Sequence, residues 1–352
     1  MKLLSITDSA IQVMGRTENI ATAQLWVFPY TQATFRFTGT RIGIRLRNRR
    51  AYGDSHIGII IDGCERKLRI NQDNETLNLL LPENLPDIDH EVTFFKRQDG
   101  QHYIEVEGFL LDDNATAHPT SNPLPERKIL MFGDSITCGE RNEAILYAGQ
   151  ADPNMDLSAY SNAWWSYGAI AARELNAQLH TISQGGISLT DGIGWFHEPD
   201  YIGMTSVWDR MQYNPELGPL TTWNAQQYQP NIIVVALGQN DAHPHDFMAS
   251  DYKGERAQQW RRNYAAFLET LRETYPSAHI VCATSIMQHD STWDRAIRDA
   301  IDSLKTARIS HLIYTRNASG TPGHPRIVEH KEMARELIAH IENLGGSIWH
   351  AR

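Results

Sequence analysis

Two kinds of hydrophobic pattern follow each other along the chain. From about residue 20 to residue 111, short runs alternate apolar and polar side chains with a period of two, as in residues 33–40 and 41–47. Asp62-Gly63 follows an apolar run and is typical of a hairpin turn. Short strands at this spacing, without any helical period, predict an antiparallel, jelly-roll-like β-sandwich domain over residues 1–111.

From residue 128 onward, continuous apolar runs alternate with amphipathic helical patterns. Strands are predicted at residues 129–132, 177–182, 231–237, 278–285 and 309–315, and helices at 161–177, 257–275, 293–305 and from about 327. Continuous apolar runs are typical of parallel strands that are buried on both faces. The alternation therefore predicts an α/β domain over residues 128–352, with helices on both faces of a parallel sheet.

A polar stretch separates these two patterns. Residues 112–127 carry three prolines and have no hydrophobic period, so they are predicted to form an interdomain linker. The sandwich itself is interpreted as a carbohydrate-binding module, a wall of the active site or a structural appendage. Of these roles we favour the wall.

Composition and charge narrow the class of protein. The net charge of −10 argues against non-specific binding to nucleic acid or to an anionic membrane. Cys64, Cys138 and Cys282 are far apart and lack metal or disulfide spacing, which fits free thiols in a reducing compartment. The first residues reach Asp8 after a very short apolar run, so no signal peptide is expected. We therefore expect a soluble cytoplasmic enzyme.

The candidate nucleophile lies where the first α/β strand ends. Residues 129–132 run into Gly133-Asp134-Ser135, a turn that places the Ser135 hydroxyl at the carboxyl end of a strand. The alternative is that Ser135 only caps a helix. The turn is not the Gly-x-Ser-x-Gly elbow of α/β-hydrolases, because Thr137 occupies the position of the second glycine.

Three segments together resemble the SGNH (GDSL) hydrolases. Residues 133–137, Gly-Asp-Ser-Ile-Thr, resemble block I, whose serine is the nucleophile of ester hydrolysis. Gly186 resembles the block II glycine that donates its N–H to the oxyanion, with Gly185 as the alternative. Residues 238–241, Gly-Gln-Asn-Asp, resemble block III, in which Asn240 supplies a side-chain donor. The resemblance implies an oxyanion hole of Ser135, Gly186 and Asn240.

The candidate base matches block V only in part. Residues 321–325 read Thr-Pro-Gly-His-Pro, so His324 matches the histidine of Asp-x-x-His while Thr321 stands at the position of the aspartate. A threonine hydroxyl donates as readily as it accepts, so it cannot fix the histidine tautomer alone. We therefore expect a dyad of Ser135 and His324, oriented by a main-chain carbonyl from residues 320–322.

The order of sandwich, linker and SGNH domain resembles the family 2 carbohydrate esterases. This resemblance implies a flavodoxin-like three-layer catalytic domain and removal of O-acetyl groups from xylo- or manno-oligosaccharides through an acyl-enzyme. Some members carry an aromatic residue directly before the catalytic histidine, where this chain has Gly323. We therefore expect Trp195, Trp208 or Trp223 to stack on the sugar instead. The expected partner is an acetylated carbohydrate or a small acyl ester.

Several alternatives stay open. His330 competes with His324 as the base, although its place in a helix favours a structural role. Residues 243–246, His-Pro-His-Asp, are weak evidence for a metal site, and no metal or other cofactor is expected. The active site could take another acyl ester, such as an aryl ester, a thioester or a lysophospholipid, or the protein could bind sugar without catalysis. A homo-oligomer is possible.

Overall fold

The computed structural model describes residues 1–306 and 308–350, which divide into two compact units. The first unit comprises Met1–Leu124 together with Asp156–Ala159 and Met211–Thr221. The second unit comprises the remaining described residues from Pro125 onward.

The first unit consists of two antiparallel sheets. Its strands are β1 (Lys2–Ser5), β2 (Gln12–Met14), β3 (Thr17–Ile20), β4 (Ala23–Trp26), β5 (Gln32–Gly39), β6 (Ile42–Arg50), β7 (Ser55–Ile61), β8 (Cys64–Ile70), β9 (Thr76–Leu80), β10 (Ile88–Lys96), β11 (His102–Leu111) and β12 (Ala117–His118). One sheet has the order β3-β4-β11-β6-β9, with β1 also paired to β11. The other has the order β12-β5-β10-β7-β8, with β2 also paired to β5.

The core of this unit follows from the period-two pattern. Along β5, every second residue is buried, and Ala33, Phe35 and Phe37 are fully enclosed. The Phe35 ring packs against Phe109 of the other sheet at 4.8 Å between ring centroids. The predicted antiparallel β-sandwich is therefore confirmed.

The stretch predicted as a linker is ordered against the sandwich. The short strand β12 lies inside residues 112–127 and pairs with Phe37 and Arg36 of β5. The Asp112 carboxylate accepts hydrogen bonds from the Thr40 and Arg41 N–H groups, at 2.8 and 3.0 Å. The segment predicted as the interdomain linker is thus ordered, in part, by hydrogen bonds to the sandwich strands.

The second unit is built on a five-stranded parallel sheet of order β14-β13-β15-β16-β17. Its strands are β13 (Arg127–Gly133), β14 (Ala177–Ser183), β15 (Ile232–Ala236), β16 (His279–Ala283) and β17 (Ile309–Leu312). Its helices are α1 (Ser135–Cys138), α2 (Tyr167–Glu174), α3 (Met204–Val207), α4 (Phe247–Ser250), α5 (Glu255–Thr274), α6 (Thr292–Ser303) and α7 (Ile327–Asn343). In the part of the chain that the structure describes, none of these helices has the length and apolar character needed to cross a membrane.

Helices cover both faces of this sheet, as predicted. Phe132 of β13 packs against Phe267 of α5, while the neighbouring Met131 lies against Gly168 of α2. Consecutive strand residues point to opposite faces, so α5 and α2 lie on opposite sides of the sheet. The helix predicted at 161–177 is shorter than expected, because Ser166 caps the start of α2.

The strand register brings three strand ends to one level. Gly133 at the end of β13 pairs with Ser183 at the end of β14 and with Ala236 at the end of β15. The segments that follow these strands therefore emerge at one edge of the sheet, where open α/β folds place their sites.

Candidate active site

Ser135 is held by a strand, a sharp turn and a helix start. It is the first residue of α1, directly after the N-cap Asp134, whose Oδ1 accepts a hydrogen bond from the Ile136 N–H at 3.0 Å. The first residues of a helix have no intrahelical acceptor for their N–H groups, so the Ser135 N–H is available to a ligand. Ser135 thus presents both its hydroxyl and its N–H at the edge of the sheet.

His324 lies in hydrogen-bond contact with Ser135, although the two residues are far apart in the chain. The Ser135 Oγ and the His324 Nε2 are 3.0 Å apart. This distance is within the range in which a histidine takes up the proton of a serine nucleophile.

The group that orients His324 is a carboxylate. The ring Nδ1 of His324 is hydrogen-bonded to the Oδ2 of Asp152, and the backbone N–H of His324 donates to the same oxygen at 3.3 Å. A carboxylate can only accept here, so it holds the proton on Nδ1 and leaves Nε2 free to act as a base. The Ser–His dyad expected from the sequence is therefore wrong, and the arrangement is a triad of Ser135, His324 and Asp152.

Two of the three carbonyls that were expected to orient His324 have other partners. The Gly320 carbonyl accepts from the Arg316 Nη1 at 2.9 Å, and the Thr321 carbonyl accepts from the Gln288 N–H at 2.9 Å. The Thr321 hydroxyl accepts from the Gly323 N–H at 3.3 Å. The turn before His324 is thus tied to its own neighbours.

Sequence reasoning missed Asp152 because that residue is 172 positions from His324 and lies in a segment without helix or strand. No motif in this one sequence marks it. A search for an acid near the histidine in the chain therefore could not find it.

Asp152 is kept ionised by its surroundings. Burial by itself would raise the pKa of the Asp152 carboxyl, but the hydrogen bond with His324 and the charges of His324 and Arg326 outweigh burial and hold that pKa well below its usual range. Arg326 Nη2 and Arg141 Nη1 lie 2.5 and 3.2 Å from the two carboxylate oxygens. An ionised Asp152 can stabilise the imidazolium that forms on His324 during catalysis.

Gly186 adopts a backbone conformation that suits a donor site. Its φ of +77° lies in the left-handed region, and a Cβ built there would lie 2.8 Å from the Cβ of Trp195. Glycine is therefore required at this turn. Among the residues that the structure describes, no acceptor binds the Gly186 N–H.

The side chain of Asn240 lies between the segments that carry Ser135 and Gly186. Its Nδ2 is 3.0 Å from the carbonyl oxygen of Ile187 and 3.3 Å from the Oδ2 of Asp134. Ile187 follows Gly186 and Asp134 precedes Ser135, so the three predicted donors are brought to one region.

Two buried carboxyl groups support this region. Burial raises the pKa of Asp134 to about 6, although hydrogen bonds from Ile136 and Gln239 act in the opposite direction. Burial likewise raises the pKa of Asp241 to about 6. The Asp241 Oδ1 accepts from the Leu189 N–H at 2.9 Å and from the Trp260 Nε1 at 2.7 Å, and so ties the Gly186 turn to the Asn240 turn.

His330 has a structural role. It is fully buried in α7, and its Nδ1 accepts the Tyr167 N–H at 3.1 Å, which satisfies the start of α2. Burial, followed by the charges of His324 and Arg326, lowers the pKa of His330 to about 3, so the ring is neutral.

The His-Pro-His-Asp segment at residues 243–246 has structural contacts too. The His243 ring stacks on Trp195 with 3.3 Å between ring centroids, and Asp246 caps α4. The Trp195 residue is 56% exposed, and its backbone N–H donates to the Gly186 carbonyl at 2.8 Å. Trp195 thus presents an exposed ring beside the Gly186 turn, whereas Trp208 and Trp223 are partly buried.

Comparison with protein families matches two parts of the chain. Residues 13–120 match the carbohydrate esterase 2 N-terminal family, and residues 131–340 match the GDSL-like lipase/acylhydrolase family.

Individual relatives match almost the whole chain. An acetylxylan esterase / glucomannan deacetylase of Cellvibrio japonicus is 28% identical, over 97% of this chain and 90% of that protein. A family two carbohydrate esterase structure from the same organism has a TM-score of 0.78 at 24% identity and covers 97% of each chain. The structure of a family two carbohydrate esterase from Clostridium thermocellum with cellohexaose has a TM-score of 0.77 at 23% identity, over 95% of this chain and 98% of that one. These two structures share the fold of this chain.

Proposed function

The chain belongs to the GDSL-like lipase/acylhydrolase family and is a carboxylic ester hydrolase, and we propose that it removes acetyl groups from carbohydrates. The observation that carries the proposal is the contact of the Ser135 Oγ with the His324 Nε2, with Asp152 on the opposite ring nitrogen. Similarity over nearly the full length to an acetylxylan esterase / glucomannan deacetylase supports the substrate class.

The reaction proceeds through an acetyl-enzyme on this proposal. Ser135 attacks the acetyl carbonyl carbon while His324 Nε2 takes its proton, and the Asp152 carboxylate stabilises the resulting imidazolium. The proton then passes from His324 to the sugar oxygen that leaves. A water molecule, activated by the same histidine, attacks acetyl-Ser135 and releases acetate.

Charge on the carbonyl oxygen develops only in the transition state. The Ser135 and Gly186 N–H groups and the Asn240 Nδ2 are the proposed donors to that oxygen. The Ser135 and Gly186 N–H groups are fixed before the reaction, and Asn240 exchanges its longer contact, 3.3 Å to the Asp134 Oδ2, for the oxyanion. Such donors lower the barrier rather than tighten substrate binding.

The exposed ring of Trp195 supports a carbohydrate substrate. Aromatic side chains offer an apolar face for stacking, and this one lies beside the Gly186 turn. A cytoplasmic location, and the possible homo-oligomer, stay predictions.

Two measurements test the substrate class. Acetate release is followed on acetylated xylo- and manno-oligosaccharides, and a parallel series of acetyl to octanoyl esters measures the preferred acyl length. We expect acetate release from the sugars and a preference for acetyl. A preference for long acyl chains without release from the sugars would contradict the proposal, and sugar binding without any hydrolysis would identify a catalytically silent protein.

A further inference from the structure

Arg326 joins the catalytic histidine turn to the segment that carries the acid. It lies two residues after His324, at the N-cap of α7, and its side chain is 2% exposed. Its Nη2 lies 2.5 Å from the Asp152 Oδ1 and 3.3 Å from the Tyr147 carbonyl oxygen, and its Nη1 lies 3.0 Å from the Arg141 carbonyl oxygen. One guanidinium therefore holds the acid itself and the backbone on the N-terminal side of it.

Gly323 makes room for the same segment. A Cβ built at Gly323 would lie 2.4 Å from the Gln150 carbonyl oxygen and 3.0 Å from the Asp152 nitrogen. Both atoms belong to the backbone, so no side-chain rotation could relieve that overlap. The segment around Asp152 thus occupies the space that a side chain at residue 323 would fill.

From these two observations we propose that Arg326 is a positioning residue for the catalytic acid and that Gly323 is required for the same geometry. The inference rests on the proposed catalytic role of Ser135, His324 and Asp152. In this backbone, a side chain at residue 323 would overlap the main chain of the segment that carries Asp152.

The shape of the arginine side chain explains why this position needs arginine. A guanidinium presents several N–H groups in a planar fork, whereas a lysine is a compact point charge on a flexible stem. Arg326 uses two of its nitrogen atoms on three acceptors. A lysine could neutralise Asp152 but could not hold the two carbonyl groups as well.

A double-mutant cycle on the full-length protein tests the proposal, with 4-nitrophenyl acetate as the substrate. Arg326→Met should lower kcat on the order of 10²-fold through misplacement of the acid, with little change in KM. Because Arg326 acts through Asp152, adding Arg326→Met to Asp152→Asn should cause no further loss. Arg326→Lys should recover part of the kcat that Arg326→Met loses. Losses that multiply in the double variant would overturn the proposal.

Arg316→Met is the matched control. Arg316 donates to the Gly320 carbonyl and pairs with Glu332, so it holds the same turn without contacting Asp152. Any loss of kcat in Arg316→Met should be smaller than in Arg326→Met and should multiply with the loss of Asp152→Asn, since the interactions of Arg316 do not reach the acid. An equal loss in Arg316→Met and Arg326→Met would assign both residues a merely structural effect and overturn the proposal.

Gly323→Ala carries the test if Arg326→Met does not fold. Its kcat should fall and, as with Arg326, the loss should vanish in the Asp152→Asn background. Full kcat in Gly323→Ala would contradict the proposal. The small ester distinguishes failure of the proposed function from failure of the positioning role. A wild type that is inactive on every ester would refute the esterase activity. An active wild type in which the losses of the two substitutions multiply would refute only the positioning role of Arg326.

Discussion

The turn that carries Ser135 and the segment that carries Asp152 are held in place by different kinds of interaction. The serine turn continues β13 and opens α1, and its backbone is closed by a hydrogen bond from the Cys138 N–H to the Asp134 carbonyl at 3.0 Å. Residues 148–157 contain no helix or strand. Asp152 is instead held by two arginines and His324.

This difference has a consequence for robustness. Backbone hydrogen bonds of the serine turn do not depend on any one neighbouring side chain, because the strand and the helix fix the turn together. The position of the acid depends on a few charged contacts that single substitutions remove. The acid segment should therefore respond to mutation and pH more strongly than the serine turn does.

The largest effect is expected at the serine turn itself, where the substitution removes the reacting atom. Ser135→Ala should lower kcat on the order of 10⁴- to 10⁶-fold, with little change in stability. A fluorophosphonate should label Ser135, as peptide mass spectrometry can verify. The control is Ser319→Ala, an exposed serine five residues before His324, which should keep full activity. Inactivation with the label on another serine would contradict the assignment of Ser135 as the nucleophile.

Removing the acid should have the next largest effect. Asp152→Asn keeps the shape but can donate to His324, which favours the wrong tautomer, so kcat should fall on the order of 10²- to 10⁴-fold. Thr321→Ala, at the position of the family's aspartate, should change kcat little. Steady-state kinetics on one ester compares the two variants, and the reverse order of effects would restore the dyad.

Asn240→Ala tests the oxyanion hole, which lies on the better-predicted side of the comparison between the serine turn and the acid segment. It should lower kcat on the order of 10²- to 10³-fold and affect KM much less, because the developing charge exists only in the transition state. Gln239→Ala is the matched control, since Gln239 donates to the same Asp134 oxygen at 2.5 Å. If only KM changed in Asn240→Ala, Asn240 would be a substrate-binding residue.

The smallest effect concerns pH. The pKa of Asp152 is lowered in the folded protein, so its contribution to stability is fully present above the unfolded value of about 3.9 and is lost as pH falls through the folded pKa. Thermal unfolding should therefore show the wild type losing stability more steeply than Asp152→Asn below about pH 4. Parallel curves for the two proteins would show that the ion pairs of Asp152 contribute nothing to the fold.

The same contrast explains what the sequence could predict. Ser135, Gly186 and Asn240 follow strands, and a strand end is visible in the chain as an apolar run that stops at glycine. Their proximity then follows from the parallel register alone.

The acid segment carries no such pattern, and the contact that defines it joins residues 172 positions apart. The sequence showed that the aspartate was missing beside His324, but it could not show what replaced it. Gly323 is a local sign of the acid segment, because a side chain there would overlap that segment. The sign can be interpreted only when the structure shows which segment lies beside Gly323.

The division of the chain into units has a consequence for how such a protein can change in evolution. After its first passage at Leu124, the chain returns to the sandwich unit twice, at Asp156–Ala159 and at Met211–Thr221. The first return begins four residues after Asp152. Recombination at a single point in the chain therefore could not exchange one unit for another. An α/β unit transferred in this way would carry two segments that belong to the sandwich of its original protein.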